Sequence, residues 1–385
     1  MPDIYIASDN ITSPIGSTTA ENFSNLIENK SGIKLHSDTT LSDDPFYASL
    51  FEKKYSFIHD NLGAYTKFEQ LLIASIGNAL ENSEMDHTNK DTILIISSTK
   101  GNIDLLEHHT FNPELKKRMA LHTSAKLVAD YFGFMNQPLV VSSACISGLL
   151  GIITGKRLIQ SGQYRNAVIA GADVISKFIL SGFQSFQAIS PEPCKPFDSN
   201  RKGINLGEGS AAVILSSHPK YANGIRMMGV AVGNDANHIS APSRTGEELG
   251  HVIKTAIHQS AFTGSDIDFI SAHGTATLYN DEMEAKAITE AGLASVPVNS
   301  LKGYYGHTLG AAGLIESIIS IHSLKENRVL PTRGFEQMGL ETPLNINNTL
   351  LKIPLQNCLK TASGFGGCNA AVVFSKPCID NPILF

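Results

Sequence analysis

The chain has 385 residues, of which 42% are hydrophobic and 17% are charged, and its formal net charge is −6 at pH 7. This composition is typical of a folded protein with a large core and excludes an intrinsically disordered chain. The acidic balance argues against general nucleic-acid binding, because phosphate contacts need a basic surface.

The cysteines and the apolar stretches bear on the compartment. No two cysteines form a CxxC pair and their number is odd, which favours a reducing environment, so we predict a cytoplasmic protein. The first residues, Met1 to Tyr5, carry no basic run ahead of an apolar segment and do not resemble a signal peptide. No apolar stretch is long enough to cross a bilayer, so we expect no membrane association. The cysteines stand at positions 145, 194, 358, 368 and 378.

In the first 220 residues, short apolar strands alternate with amphipathic helices. Thr18 and Glu21 have the spacing of a capping box, and the segment that starts at Thr66 begins a second helix. The polar stretch 33–62 is predicted to be irregular. The other predicted elements are strands at 4–7, 92–97, 139–142, 166–171 and 210–215, and a helix at 124–132.

The alternation begins again after a boundary at 216–224. Thr245 and Glu248 have capping-box spacing at the start of a helix near Glu247, and another helix starts at Asp281. This regular alternation predicts α/β layers with mostly parallel sheets, and its repetition suggests an old internal duplication with domains at 1–220 and 221–385. The other predicted elements are strands at 225–232, 267–272, 296–299, 359–362 and 370–374, and a helix at 308–323.

The segment around Cys145 predicts a buried strand, a sharp turn and then a helix. A thiol in the first turn of a helix meets the partial positive charge of the helix N-terminus, which favours the thiolate and makes Cys145 a candidate nucleophile. An inert packing cysteine is the alternative. Gly148, Gly151 and Gly155 give the helix a small face that lets another backbone come close, so we predict a central helix.

Three glycine-rich stretches of the second half place reactive side chains where strands end. Ligands of α/β folds collect at strand ends, so these stretches are candidates for lining one cleft. His273 and His307, each beside a glycine, supply a base or a hydrogen-bond donor for Cys145 chemistry, and a glycine-rich turn can offer N–H groups to an oxyanion. A core or loop histidine and an ordinary tight turn are the alternatives. The stretches are 271–277, 299–308 and 363–369.

Five motifs, in order along nearly the whole chain, resemble the β-ketoacyl-[acyl carrier protein] synthase family. The set Cys145, His273 and His307 is similar to the elongating type of synthase, whereas the initiating type would show Cys–His–Asn. The motifs are Ser143-Ala144-Cys145-Ile146-Ser147-Gly148, Lys195-Pro196-Phe197-Asp198 through Gly207-Glu208-Gly209, Ala272-His273-Gly274-Thr275, Gly306-His307-Thr308-Leu309-Gly310-Ala311-Ala312-Gly313 and Gly364-Phe365-Gly366-Gly367.

The resemblance implies a decarboxylative Claisen condensation. Cys145 would hold the acyl chain as a thioester, with the N–H groups of Cys145 and Phe365 as the oxyanion hole. His273 and His307 would assist decarboxylation of malonyl carrier protein and stabilise the enolate. Lys302 would support the histidines, with Glu316 as its ionic partner.

The resemblance also assigns the substrate-binding residues and the fold. Thr275 and Thr277 would hold the phosphopantetheine arm, and Phe365, with Phe183 as a second candidate, would gate the acyl chain. The implied fold is the α/β thiolase-like five-layer αβαβα arrangement, built from two similar halves and usually a homodimer. The implied partner is an acyl carrier protein that carries acyl and malonyl thioesters, so neither a bound cofactor nor a metal is expected.

The sequence leaves alternatives for the role of Cys368, for the pathway and for the function. Cys368 stands where threonine is common in the family, and it either fills a threonine-sized space or places a second thiol near the site. The pathway is fatty-acid synthesis or related polyene or polyketide synthesis. The alternatives to a synthase are a non-catalytic chain-length partner subunit in a heterodimer, and a thioester hydrolase that uses Cys145 and one histidine.

The region 101–122 carries three histidines and a basic triplet. The histidines at 108, 109 and 122 are interpreted as structural or exposed, because no carboxylate or cysteine stands near them at zinc-ligand spacing. The triplet 116–118 either meets an acidic carrier protein or belongs to a solvated loop.

Overall fold

The protein was analysed as a computed structural model, which describes residues 2–52, 62–237 and 239–377, so Cys378 lies outside the described residues. The strands are β1 (Tyr5–Thr12), β2 (Ile33–His36), β3 (Phe46–Ser49), β4 (Thr92–Ser97), β5 (Leu139–Val141), β6 (Asn166–Asp173), β7 (Leu206–Gly207), β8 (Gly209–Ser216), β9 (Arg226–Asn234), β10 (Phe269–Ser271), β11 (Val298–Asn299), β12 (Arg328–Val329), β13 (Leu351–Lys352), β14 (Asn357–Gly364) and β15 (Cys368–Ser375). The α-helices are α1 (Thr19–Ile27), α2 (Lys67–Glu81), α3 (Leu105–His108), α4 (Pro113–Met119), α5 (Leu121–Phe132), α6 (Ser147–Gln160), α7 (Lys177–Ser185), α8 (Glu247–Gln259), α9 (Leu278–Glu290), α10 (Lys302–Tyr305) and α11 (Ala312–Glu326).

One mixed sheet organises both halves of the chain, with the strand order β11-β10-β14-β15-β9-β1-β8-β6-β4-β5. From edge to centre, the order β5-β4-β6-β8-β1 in the first half repeats as β11-β10-β14-β15-β9 in the second. The strands nearest each edge pair in parallel, whereas the five central pairings are antiparallel. The prediction of mostly parallel sheets is therefore wrong, because tight connections such as the turn between β14 and β15 can join only antiparallel strands.

Five layers result from helices that cover and separate the two halves of this sheet. Helices α6 and α11 pack between the halves, while α2 and α5 cover one outer face and α8 and α9 cover the other. Helix α11 is buried on nearly all sides, as expected for a helix that is apolar all round. The predicted αβαβα layering is confirmed, whereas the division into domains at residue 220 stays a prediction.

Local sequence signals predicted some helix starts correctly and others incorrectly. The capping box predicted at Thr18 is confirmed, and the predicted helix start at Thr66 also carries a capping box. The capping box predicted at Thr245 is wrong, because α8 begins after Gly246, whose left-handed φ of 77° leaves no side-chain cap. Helix α9 begins at Leu278, three residues before the predicted start at Asp281.

Two short regions also differ from the sequence prediction. Strands β2 and β3 lie within the stretch 33–62, which was predicted to be irregular. The local sequence did not indicate them because β3 is stabilised by pairing with the distant β7. Residues 53–61 of that stretch lie outside the described residues. The histidines at 108, 109 and 122 are exposed, as predicted. Arg118 of the basic triplet contacts the fully buried Glu69 carboxylate, so it is not a freely solvated side chain, whereas contact of the triplet with a carrier protein stays a prediction. In the described part of the chain, no helix combines the length and apolarity that a membrane crossing needs.

The glycines of α6 permit the contact between the two halves. A Cβ on Gly148 would lie 2.8 Å from the carbonyl oxygen of Gly310 and from the backbone nitrogen of Leu314. A Cβ on Gly151 or Gly155 would instead crowd Ile169 of β6. The predicted central position of this helix is confirmed.

Replacing Gly148 with alanine should lower the free energy of unfolding by about 1–3 kcal/mol, because its methyl group must displace backbone atoms. Urea unfolding followed by far-ultraviolet circular dichroism measures the loss. Gly182→Ala is the matched control, since Gly182 lies within α7 and its added Cβ would meet no atom within 4 Å. We expect no loss there, and an equal loss in both variants would contradict a specific contact at Gly148.

Candidate active site

The candidate nucleophile lies on a strained turn between strand β5 and helix α6. Ala144 has a left-handed φ of 42°, which is costly for a residue with a Cβ. The Ser147 hydroxyl holds the turn by accepting the Ser143 N–H at 2.8 Å and donating to the Ala144 carbonyl at 2.6 Å. Cys145 therefore stands two residues before the first residue of α6, and β5 is a half-exposed edge strand rather than a buried one.

Tertiary structure brings Cys145, His273 and His307 together from three separate segments. The Cys145 sulfur and one ring nitrogen of each histidine all lie within 4.8 Å of one another. The two imidazole centroids are 5.2 Å apart and their planes are nearly perpendicular, at 82°. The three side chains are almost completely buried, with 8%, 3% and 1% of each residue exposed. This arrangement can place one thioester between a nucleophile and two donors.

A buried ion pair holds His273 from behind. The Lys302 ammonium donates to the His273 carbonyl at 3.0 Å, lies 3.5 Å from Nδ1 of the same ring, and contacts the Glu316 carboxylate. Because an ammonium only donates, Nδ1 must accept, and the neutral ring then carries its proton on Nε2. Lys302 and Glu316, which the sequence analysis expected to form an ionic pair, thus lie together behind His273.

His307 is held by its backbone and leaves both ring nitrogens free. Its N–H donates to the Asn205 carbonyl at 2.7 Å, while neither ring nitrogen has a hydrogen-bond partner among the described residues. Burial, followed by the charge of Lys302, holds the pKa of His307 and of His273 well below the usual value. Both imidazoles are therefore neutral at pH 7, and the unpartnered ring of His307 is able to accept a proton.

The thiol of Cys145 is protonated in the resting site. Burial raises its pKa to about 12, against the opposing effects of the Lys302 charge and of the Phe365 N–H, which donates to the sulfur. Burial of the sulfur acts against the thiolate that the start of α6 is expected to favour, and α6 itself begins two residues after Cys145. The proton must be removed during the reaction, and the neutral ring of His307 is the adjacent acceptor.

All three glycine-rich stretches line one cavity of about 560 Å³ that also contains Cys145. The hydroxyls of Thr275 and Thr277 are 2.8 Å apart in its wall. The Phe365 ring is 39% exposed and stacks on Phe183, with ring centroids 6.0 Å apart. A further ring, Phe186, meets Phe365 edge-on at 5.5 Å and was missed by the sequence analysis. The cavity thus has polar and aromatic walls that lead to the thiol.

Cys368 lies between the nucleophile turn and the Phe365 turn, close enough to Cys145 to help raise the pKa of that thiol. Its thiol donates to the Phe365 carbonyl at 3.4 Å and to the Ser143 carbonyl at 3.7 Å. The side chain therefore links the nucleophile turn to the glycine-rich turn, in the manner of a small hydroxyl residue.

Sequence reasoning missed the buried charges behind the site. Lys360 is fully buried and lies 2.8 Å from the Glu316 carboxylate, and the buried Glu284 carboxylate accepts the N–H groups of His273 and Gly274. A lysine inside the predicted strand 359–362 was the signal for Lys360. No sequence signal marked Glu284, because its partners are backbone groups of a distant loop.

Comparison with protein families agrees with this geometry. The N-terminal domain of beta-ketoacyl synthase matches residues 1–220, and the C-terminal domain matches residues 225–336. The chain belongs to the beta-ketoacyl synthase family. The resemblance carried by the five motifs is thereby confirmed.

Relatives and solved structures cover nearly the whole chain. The 3-oxoacyl-[acyl-carrier-protein] synthase 2 of Vibrio harveyi is 29% identical, over 97% of this chain and 98% of its own. A chain of the solved complex between a ketosynthase and its chain length factor from Xenorhabdus doucetiae has a TM-score of 0.88 at 24% identity, covering 98% of each chain. The ishigamide ketosynthase/chain length factor has a TM-score of 0.89 at 22% identity, covering 98% of this chain and 100% of its own. The two structures share the fold of this family member.

The raised pKa of Cys145 predicts that thiolate is absent at neutral pH. The difference in thiolate ultraviolet absorbance between wild type and Cys145→Ser should stay flat up to about pH 10, since a raised pKa keeps the proton on sulfur below it. Spectrophotometric pH titration of both proteins measures this difference. A step between pH 5 and pH 8 would show instead that the histidines or the start of α6 stabilise a resting thiolate.

Proposed function

We propose that the chain is an elongating β-ketoacyl-[acyl carrier protein] synthase that condenses an acyl thioester with malonyl carrier protein and releases carbon dioxide. The observation that carries the proposal is the meeting of one thiol and two neutral imidazoles within 4.8 Å beside one cavity. A thiol suits a covalent thioester, and two ring N–H donors suit the negative charge of an enolate. The family match supports the same reaction class.

In the first half-reaction, the sulfur of Cys145 attacks the carbonyl carbon of the acyl thioester. Its proton passes to a neutral imidazole and then to the departing pantetheine sulfur, so the carrier protein leaves as a free thiol. The N–H groups of Phe365 and Cys145 stabilise the tetrahedral oxyanion, and the Phe365 N–H already points at the sulfur. Thr275 and Thr277 hold the phosphopantetheine arm, while Phe365 and Phe183 gate the acyl chain.

In the second half-reaction, the malonyl carboxylate leaves as carbon dioxide and its bonding electrons form an enolate. The enolate oxygen accepts hydrogen bonds from Nε2 of His273 and of His307. The enolate carbon attacks the thioester on Cys145, a carbon–carbon bond forms and the carbon–sulfur bond to Cys145 breaks. The released thiolate then takes up a proton from the solvent, which restores the thiol. The product is a β-ketoacyl chain on the carrier protein.

The other functions fit the site less well. A non-catalytic chain-length subunit needs no nucleophile, yet Cys145, His273 and His307 form a complete buried set. A thioester hydrolase would use Cys145 with one histidine and would leave the second histidine and Lys302 without a role. Both alternatives therefore rank below the synthase.

We further propose an acyl carrier protein and a second ketosynthase-like chain as partners. The edge strand β5 is half-exposed and leads directly to the nucleophile turn, which supports pairing through this edge. A homodimer is the simplest assembly. A heterodimer is the alternative, because two of the similar structures are described as a ketosynthase with a chain length factor.

Cys145→Ala should abolish formation of the acyl-enzyme, because the nucleophile is absent. The wild type and both variants are each incubated with acyl carrier protein bearing an acyl group. Intact mass spectrometry then records the mass added to each protein. Cys368→Ala is the control for the second thiol and should retain acylation. Acylation that persists in Cys145→Ala, or is absent from wild type, would sink the proposed mechanism.

His307→Ala should still form the acyl-enzyme, since the Cys145 nucleophile and the N–H groups of the oxyanion hole remain. Condensation with malonyl carrier protein should slow by roughly 100- to 1000-fold, because one of two donors to the enolate is lost. Product formation is followed by mass spectrometry. His251→Ala, on the exposed face of α8, is the matched control and should condense at the normal rate. A normal rate in His307→Ala would refute the role given to His307.

A further inference from the structure

Lys360 is a buried cation that the proposed mechanism does not use. It lies in the middle of β14 and has no exposed surface. Its ammonium donates to the carbonyls of Thr361 at 2.7 Å, Ser271 at 3.1 Å and Ala272 at 3.2 Å. It also lies 2.8 Å from Oε2 of Glu316. The ammonium is therefore fully enclosed by oxygen atoms, a placement that a charge in a protein core requires.

One carboxylate is shared by two lysines. Glu316 contacts Lys302 through Oε1 and Lys360 through Oε2. The three side chains come from α11, α10 and β14, and together they carry one net positive charge. The other carboxyl facing them is Glu284 of α9, which is committed to the His273 N–H and whose pKa is raised by burial.

The sharing of Glu316 by two lysines matters because Lys302 contacts both this carboxylate and His273. Its ammonium contacts Glu316 and also reaches the carbonyl and Nδ1 of His273. A carboxylate with Lys302 as its sole cation would draw that ammonium onto both of its oxygens. Because the Lys360 charge lies 2.8 Å from Oε2, as an ion pair rather than a well-aligned hydrogen bond, Lys302 keeps donors available for the His273 ring.

We propose that Lys360 is a positioning residue for the histidine pair: it shares the Glu316 carboxylate so that Lys302 can hold the His273 ring, and it adds positive charge behind both imidazoles. This proposal rests on the proposed function only for its catalytic consequence. The burial that dominates the low pKa of His273 and His307 is reinforced by the charges of Lys302 and Lys360. The same charges favour the negative enolate that forms at the two rings.

The decisive measurement is the tautomer of His273 at pH 7, read from ¹⁵N chemical shifts of histidine-labelled protein and assigned by the signals lost in His273→Gln. In wild type we expect a single form with the proton on Nε2. In Lys360→Met, which removes the charge at similar volume, Lys302 moves onto Glu316 and His273 populates both tautomers. A single Nε2–H form in Lys360→Met would overturn the proposal, as would a mixture in wild type.

Two further variants separate charge from packing. Lys360→Met combined with Glu316→Gln restores one net positive charge and frees Lys302, so the single tautomer should return. Leu359→Val perturbs the adjacent buried core position without changing charge and should keep the single tautomer. A mixture in either variant would overturn the proposal.

Lys360→Gln replaces Lys360→Met if the latter does not fold, because glutamine still donates to the surrounding carbonyls and lacks the charge. The same outcomes then apply.

The catalytic consequence is measured separately. Decarboxylation of malonyl carrier protein by Lys360→Met should slow roughly tenfold, less than the roughly hundredfold loss when a direct oxyanion donor is removed. The tautomer of His273 reports the positioning role of Lys360 even if the protein has no synthase activity. Wild type that fails to decarboxylate therefore refutes the proposed function, whereas an unchanged rate in Lys360→Met refutes this inference.

Discussion

The close approach of helices α6 and α11 is the contact on which the rest of the structure depends. It joins the half that carries Cys145 to the half that carries His307, and it requires that Gly148 and Gly313 have no side chain, since an added Cβ would lie about 3 Å or less from the opposite helix. Each glycine weakens its own helix by roughly 1 kcal/mol relative to alanine. Tight packing of the two apolar helices compensates for this cost and sets the distance between the nucleophile and the imidazoles.

The same packing buries the reacting groups, and their burial governs the chemistry of the site. Burial keeps Cys145 as a thiol and both histidines neutral, so the reaction begins from uncharged groups. The charges of the region lie one layer further back, as lysines that share the Glu316 carboxylate. Neutral reacting groups in front of buried cations suit a reaction whose transition states carry negative charge.

The sheet has the same spatial order of strands in both halves, yet the two halves contribute different reactive groups to the site. The first half supplies a strained turn with a thiol, and the second supplies two imidazoles and the glycine-rich turn at Phe365. The edge strands β5 and β11 occupy equivalent places in the two halves. Only β5 leads into the nucleophile turn, which is why the proposed pairing through β5 would act directly on the acyl site.

The sequence by itself determined most strands and helices, the capping box at Thr18, the central glycine face of α6 and the motifs that identify the family. These features depend on local spacing, which the chain encodes within a few residues. Tertiary structure alone decided the antiparallel centre of the sheet, the protonated state of Cys145 and the roles open to Lys360 and Glu284. Those properties arise from burial and from partners far apart in sequence, so no local pattern around Cys145 or Lys360 reveals the surroundings that set their charge.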